Sequence, residues 1–166
     1  MTSCSKALAT ALDEALIYGD GEGANIKGIT TYANINKPTW TGDLNYNALL
    51  TAIGSNKSAN INATDVCYST TTSTGLAMLQ DTLGQYITPP KALDSYNLCE
   101  SNNIKDTDVI AYDRQSLLLG INRNITIELG YTNDNFQRMV KSLRIYMRCD
   151  LGVIQEKGVS LVKATV

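Results

Sequence analysis

Cys4, Leu8, Ala11, Leu12 and Ala15 fall at i, i+4, i+7, i+8 and i+11, the apolar stripe of an amphipathic helix. Thr2 or Ser3 can cap that helix and Gly19 ends it. The run Gly19-Asp20-Gly21-Glu22-Gly23 then reads as a loop, and Gly28, Ile29 and Tyr32 as an extended segment. Pro38, Gly42 and Asp43 punctuate the chain before a second helical stripe at Leu44, Ala48, Leu49, Ala52 and Ile53, closed by Gly54. Asn56 to Thr64 reads as a polar loop, and Val66-Cys67-Tyr68 as a short buried strand. Thr70 to Ser73 offer caps for a third helix through Leu76, Leu79 and Leu83. From Gly84 to Asn97 the pair Pro89-Pro90 forbids helix.

In the second half the period changes from helical to two. Val109 to Tyr112 is a strand, Asp113 caps a turn or two through Leu119, and Ile125, Ile127 and Leu129 share a face. Met139, Leu143, Ile145, Met147 and Cys149 take odd positions, with Arg138, Ser142, Arg144 and Arg148 among the even ones. This is the most regular strand signal in the chain. Asp150-Leu151-Gly152 reads as a turn, after which Val153 to Val162 returns as one or two strands. Helices and strands mix without βαβ regularity, so the class is α+β.

Charged residues are 18% of the chain and the net charge is −2, which removes the basic excess of a dedicated nucleic-acid binder. The surface this leaves is neutral and polar, suited to packing against protein. The sequence contains no histidine. Its four cysteines lie far apart, without a CxxC pair, so they read as free thiols and not as a zinc site. No metal or cofactor is expected. Nothing reads as a signal peptide, and no apolar run approaches the ~20 residues of a membrane span. The glycine-rich loop follows a helix instead of opening one and lacks a GK[ST] ending, which argues against a phosphate cradle. Asp20 and Glu22 could meet a calcium ion, yet the EF-hand pattern is absent. A structural reversal is the simpler reading.

Three stretches resemble the major capsid proteins of tailed bacteriophages, the Johnson fold. The first is Ala11 to Gly23 with Lys27-Gly28-Ile29, similar to the family's helix end, hinge loop and Gly-Ile entry. The second is Leu79-Gln80-Asp81, Gly84 to Ile87, Pro89-Pro90, Leu98, Glu100-Ser101-Asn102 and Ile104. It resembles the axial stretch near a capsomer's symmetry axis. The third runs from Asn135-Phe136 through Arg144, Arg148 and Asp150 to Val153 and Leu161, similar to the long closing strand and final hairpin.

The resemblance implies a division into residues 1–35 (end of the spine helix, glycine loop and entry segment), 36–130 (axial domain) and 131–166 (peripheral long strand and final hairpin). It also implies that the N-terminal arm and extended loop of full members are absent from these 166 residues. The expected function is structural: a head-protein subunit that assembles with itself into pentamers and hexamers of an icosahedral shell. Such a shell belongs to the virion and is built in the bacterial cytoplasm. Scaffold, portal, maturation protease and decoration proteins are further partners of the family, and packaged DNA an indirect one. Some relatives weld neighbours through a Lys–Asn isopeptide bond assisted by a glutamate. Here the Asn position aligns with Met139 and the Glu position with Tyr146, so association is expected to be non-covalent.

Two rival readings stay open. An encapsulin-type nanocompartment subunit shares the fold, and an unrelated α+β binding module would be a monomer with ligand affinity. An enzyme is disfavoured, because no acid–base or nucleophilic constellation is present. Arg144 and Arg148 are the candidate interface residues. They share one strand face, and guanidinium groups suit planar pairing with carboxylates. A solvated face is the alternative.

Overall fold

The computed structural model describes residues 2–131 and 137–165. Helix α1 spans Thr2–Tyr18 and a 3-10 turn Ile29–Thr31 follows, where an extended segment was expected. Strand β1 is Thr39–Thr41, α2 Tyr46–Ser58, β2 Asp65–Tyr68 and α3 Thr70–Ala77. A turn at Lys91–Leu93 leads to β3 (Asn97–Glu100) and β4 (Asp108–Tyr112). The long strands β5 (Leu117–Gly130) and β6 (Ser142–Val153) come next, and β7 (Val159–Thr165) closes the chain. Thr2 and Ser3, proposed as caps, fall inside the first turn of α1, and their side chains, that of Cys4, and Asn135 and Phe136 lie outside what is described.

Five strands form one mixed sheet in the order β1-β7-β4-β2-β3. The outer pairs, β1 with β7 and β2 with β3, are parallel, and the inner ones antiparallel. Its central strands alternate strictly. Val109, Ala111, Val162, Val66 and Tyr68 point to one face, where Ala48, Leu49, Ala52 and Ile53 of α2 cover them. Ile110, Leu161 and Val159 point to the other, against Ile29, Ile35 and Leu151, with Leu16 and Ile17 of α1 packed alongside. Burial on both faces is why Val109 to Tyr112 reads as a continuous apolar run.

The second helix does not stop at Gly54. That glycine lies on the solvent side with open space where a side chain would go. Asn45 caps the start, its Oδ1 accepting from the amides of Asn47 (3.0 Å) and Ala48 (3.2 Å). The end is a Schellman motif on Asn60, which adopts φ 60°. Ile61 N–H reaches the Asn56 carbonyl at 3.1 Å and Asn60 N–H the Lys57 carbonyl at 2.9 Å. The polar segment expected from Asn56 is therefore partly helix.

The third helix likewise ends early, at Ala77. The chain then folds into a tight hairpin in which Asp81 N–H donates to Gln85 O and Ile87 N–H to Leu79 O. Gly84 at φ 77° makes that turn possible. Asp113 caps a single turn, Arg114–Ser116, its carboxylate accepting from Gln115 N–H at 3.2 Å. The strand starts directly after it, where one or two turns through Leu119 were expected.

The final hairpin is also corrected. Leu151 is buried and the period-two pattern continues to Val153, so β6 carries on through Asp150-Leu151-Gly152. The chain turns at Glu156–Gly158 instead. After it, β7 pairs not with β6 but with β1 and β4, at the centre of the sheet. The division expected at residue 131 therefore does not follow the strand pairing.

Gly28 and Gly19 are required by close approach. Gly28 N–H donates to Gly19 O at 2.9 Å. A Cβ on Gly28 would lie 2.5 Å from Gly19 N and 2.6 Å from Ile17 O, both unyielding backbone atoms. The helix end and the Ile29 turn must separate to admit a methyl group. Gly28→Ala is expected to cost about 2 kcal/mol, read as a lowered urea midpoint with an unchanged slope.

One buried charge is tied into the sheet. Asp65 is 1% exposed and accepts from Arg114 Nε at 2.7 Å and Nη2 at 2.6 Å, and from the Thr64 hydroxyl at 2.6 Å. Burial pushes its carboxyl up, but the Arg114, Thr64 and Asn97 donors outweigh it and hold it below the usual carboxylate range. A lowered folded-state value means the stabilisation is present at neutral pH and fades as pH falls below about 4. Arg114→Met is expected to lower the urea midpoint at pH 7, because the buried Asp65 carboxylate loses two of its donors. The gap from the parent should narrow on acidification, followed by urea unfolding from pH 7 to pH 3.

Candidate interaction surface

Among the described residues, β5 and β6 pair only with each other, forming a long two-stranded ribbon that leaves the sheet. Its root is anchored. Leu117, Leu151 and Val153 pack into the second core cluster, and Tyr32 Oη donates to Leu151 O at 3.1 Å. Beyond the root most of the ribbon's described residues are exposed or half-buried. A two-stranded ribbon in water is marginal unless a third strand or another surface covers it.

Register decides what each face presents. Leu119 opposes Leu151, Ile121 opposes Cys149, Ile127 opposes Ile145 and Leu129 opposes Leu143. Side chains opposite one another share a face, so these residues form an apolar stripe continuous with the core at Leu151. Between Ile121 and Thr126 β5 carries two more residues than the facing stretch of β6, and the two irregularities together return its odd-numbered apolar residues to that face. Leu119, Ile121, Ile127, Leu129 and Leu143 are all exposed, Leu129 by 68%. At the tip Met139 is 90% exposed and holds φ 57°, a conformation few non-glycine residues adopt.

The opposite face is polar. Glu128 faces Arg144 and Thr126 faces Tyr146. Tyr146 Oη donates to Glu128 Oε1 at 2.8 Å, and the Arg144 guanidinium lies 4.9 Å from the Tyr146 ring centroid. Arg144 is thus an exposed cation held flat against a ring, beside a carboxylate. Arg148 is four residues on, about 13 Å away along an extended strand, and shares the even-numbered face. It sits opposite Arg123 in the ladder and lines an open groove of about 1180 Å³ between α1 and the outer edge of β6, with Leu8, Leu12, Tyr18 and Asp150. The two arginines share a face as the sequence indicated but occupy different surroundings.

A second exposed apolar group follows α3. Leu83 is 80% exposed, Tyr86 68% and Met78 67%, all on or beside the hairpin after α3. The sequence placed Leu83 on a helix and so concealed it. Gly84 between Leu83 and Tyr86, with Pro89-Pro90 closing the stretch, was the available signal.

The glycine loop is a turn. Asp20 accepts from Glu22 N–H and Asn25 Nδ2, both at 3.1 Å, and these donors hold its carboxyl below the usual range. Among the described residues no group of three or more Cys, Asp or Glu could hold a metal ion. Among the described residues no helix is long and apolar enough to cross a membrane.

No curated protein matches the sequence. Solved structures do match the fold. A virus-like particle from Pyrococcus furiosus superposes with a TM-score of 0.73 at 12% identity, covering 98% of this chain and 65% of that one. The capsid of an empty GTA particle gives 0.73 at 16% identity, over 99% and 65%. Mycobacterium phage Cain gives 0.73 at 17%, over 96% and 62%. The chain thus spans about 65% of the length of these relatives. A family model described as the phage capsid family matches residues 1–164, nearly every residue of the sheet, both long strands and all three helices, and the chain belongs to that family.

Proposed function

We propose that this chain is the shell-forming part of a major capsid protein, a structural subunit that associates with copies of itself into fivefold and sixfold rings of a closed phage head. The β5–β6 ribbon carries this reading. A long strand pair with a stripe of exposed leucine and isoleucine on one face and a tethered arginine on the other is costly for a monomer. It is accounted for if a neighbouring subunit covers it. The five-stranded sheet with α2 and α3, β7 included, corresponds to the axial domain, and α1 with the ribbon to the peripheral domain. The Leu83–Tyr86 hairpin then points towards the ring centre, and Arg144 and Arg148 lie at contacts between subunits.

Each such contact is heterologous and repeats around an axis. Modest interfaces add up because every subunit is held by several neighbours at once. The role is architectural and needs no catalytic group; assembly in the host cytoplasm and contact with scaffold, portal and decoration proteins belong to the same reading. A second reading, a nanocompartment around protein cargo, is favoured by the Pyrococcus virus-like particle, which superposes as well as the phage capsids.

Negative-stain microscopy of the complete gene product, produced together with its neighbouring head genes, tests the proposal. Closed polyhedral shells or rings are expected, with DNA in particles from infected cells. A folded monomer that never assembles would overturn it, and shells filled with a protein cargo would establish the second reading.

A further inference from the structure

We propose that Cys67 and Cys99 form a dithiol site that closes into a reversible disulfide in an oxidising medium, fastening the edge strand β3 to the sheet. The two are register partners on adjacent parallel strands, Cys67 on β2 and Cys99 on β3. Neighbouring strands run about 4.8 Å apart, inside the Cα separation that a disulfide spans. Each thiol is close enough for the charge of one to act on the other. Both are free and half-buried. Cys67 lies on the face opposite α2, next to the Tyr112 hydroxyl at 3.9 Å, where burial pushes its thiol up to about 12. Cys99 is on the outermost strand, between the exposed residues Leu98 and Glu100.

These environments assign the order of events. Cys99, as a thiolate, attacks one sulfur of a low-molecular-weight disulfide such as oxidised glutathione. The S–S bond of the oxidant breaks, one glutathione thiolate leaves and takes up a proton, and a mixed disulfide remains on Cys99. Cys67 then loses its proton and displaces the second glutathione, forming the Cys67–Cys99 bond. Two protein thiols are oxidised, and one oxidant disulfide is reduced to two thiols. Side chains directly opposite in a sheet sit slightly farther apart than an unstrained bridge prefers, so the bond is expected to be easily reduced.

Only the timing rests on the reading as a shell protein. A subunit made in a reducing cytoplasm stays open during assembly, and a released particle meets oxidising medium afterwards. The chemistry is read on the complete gene product, assembled or not. It is incubated with oxidised glutathione, remaining thiols are alkylated, and the protein is digested without reductant. The expected result is a crosslinked peptide pair joining Cys67 and Cys99. The thermal midpoint should rise by a few degrees, on the order of 5 °C, and dithiothreitol should reverse it. In Cys67→Ser the same treatment should leave glutathione on Cys99. Stable glutathione adducts on both cysteines of the parent, linkage only between subunits, or full alkylation of both after treatment would each overturn the proposal. A protein that forms the bond yet never assembles would retain this inference and sink the shell reading.

Discussion

Ile127→Lys combined with Leu129→Lys is expected to abolish shell formation while leaving the subunit folded. The two residues lie on the outer part of the ribbon, opposite Ile145 and Leu143, and both are exposed. Exposed substitutions of this kind change stability by about 0.5 kcal/mol or less each, and lysine is a residue that natural edge strands tolerate. The folded monomer should therefore keep its thermal midpoint. At a subunit interface the same ammonium groups lose their water without gaining a partner, a penalty of several kcal/mol per site. The penalty recurs at every copy, so a closed shell is more sensitive than a dimer. Particles are counted by microscopy and sedimentation, and unfolding is followed by circular dichroism. Shells in parental yield would remove the apolar face of the ribbon from the interface.

Much of that face was legible beforehand. Alternation over Leu143, Ile145, Met147 and Cys149, broken by Tyr146, and again over Ile125, Ile127 and Leu129, marks two strands each with an apolar side. Alternation fixes which side chains share a face within a strand but not which strand is the partner. The apolar run in β7 was visible as strand, yet nothing local indicates that it inserts between β1 and β4. Three- and four-residue edge strands such as β1 and β3 were missed for the same reason: their pairing is parallel and non-local. Thr39 to Thr41 offers only the half-buried Trp40 to betray it.

The helix ends show a different limit. Gly54 and Leu83 were read by residue type, as a stop and as a member of a stripe. What decides is the competing structure downstream. The Asn60 cap and the Ile61 amide complete α2 four residues beyond Gly54, and the Gly84 turn draws Leu83 out of α3. For Arg144 and Arg148 the shared face was readable, whereas the α1 groove beside Arg148 depends on contacts distant in sequence.

Asn56→Leu should show the largest loss of stability of any single change considered, about 3 kcal/mol or more. A polar residue in the last turns of a helix looked like the start of a loop. It is instead completely buried. Its Nδ2 donates to Ala111 O at 3.1 Å on β4 and to Gly158 O at 3.2 Å before β7, and its Oδ1 accepts from Asn36 Nδ2 at 3.1 Å. One amide thus joins α2 to the sheet and to the segment leading into β1. Asn36 carries the network on, donating to Lys157 O at 2.8 Å, while the Ser160 hydroxyl donates to Ala52 O at 2.7 Å beside it. Leucine fills a similar volume but replaces none of the three bonds; Ala111 O keeps a longer one from Ser160 Oγ at 3.4 Å and Asn36 Nδ2 its bond to Lys157 O, so the cost is that of three lost buried bonds. Gly158 O keeps its bond from Asp113 N–H, which holds the loss to a few kcal/mol short of unfolding. Chemical denaturation of the variant measures it directly. A midpoint equal to the parent's would mean that α2 is held on the sheet by its apolar stripe alone, with the asparagine network contributing nothing.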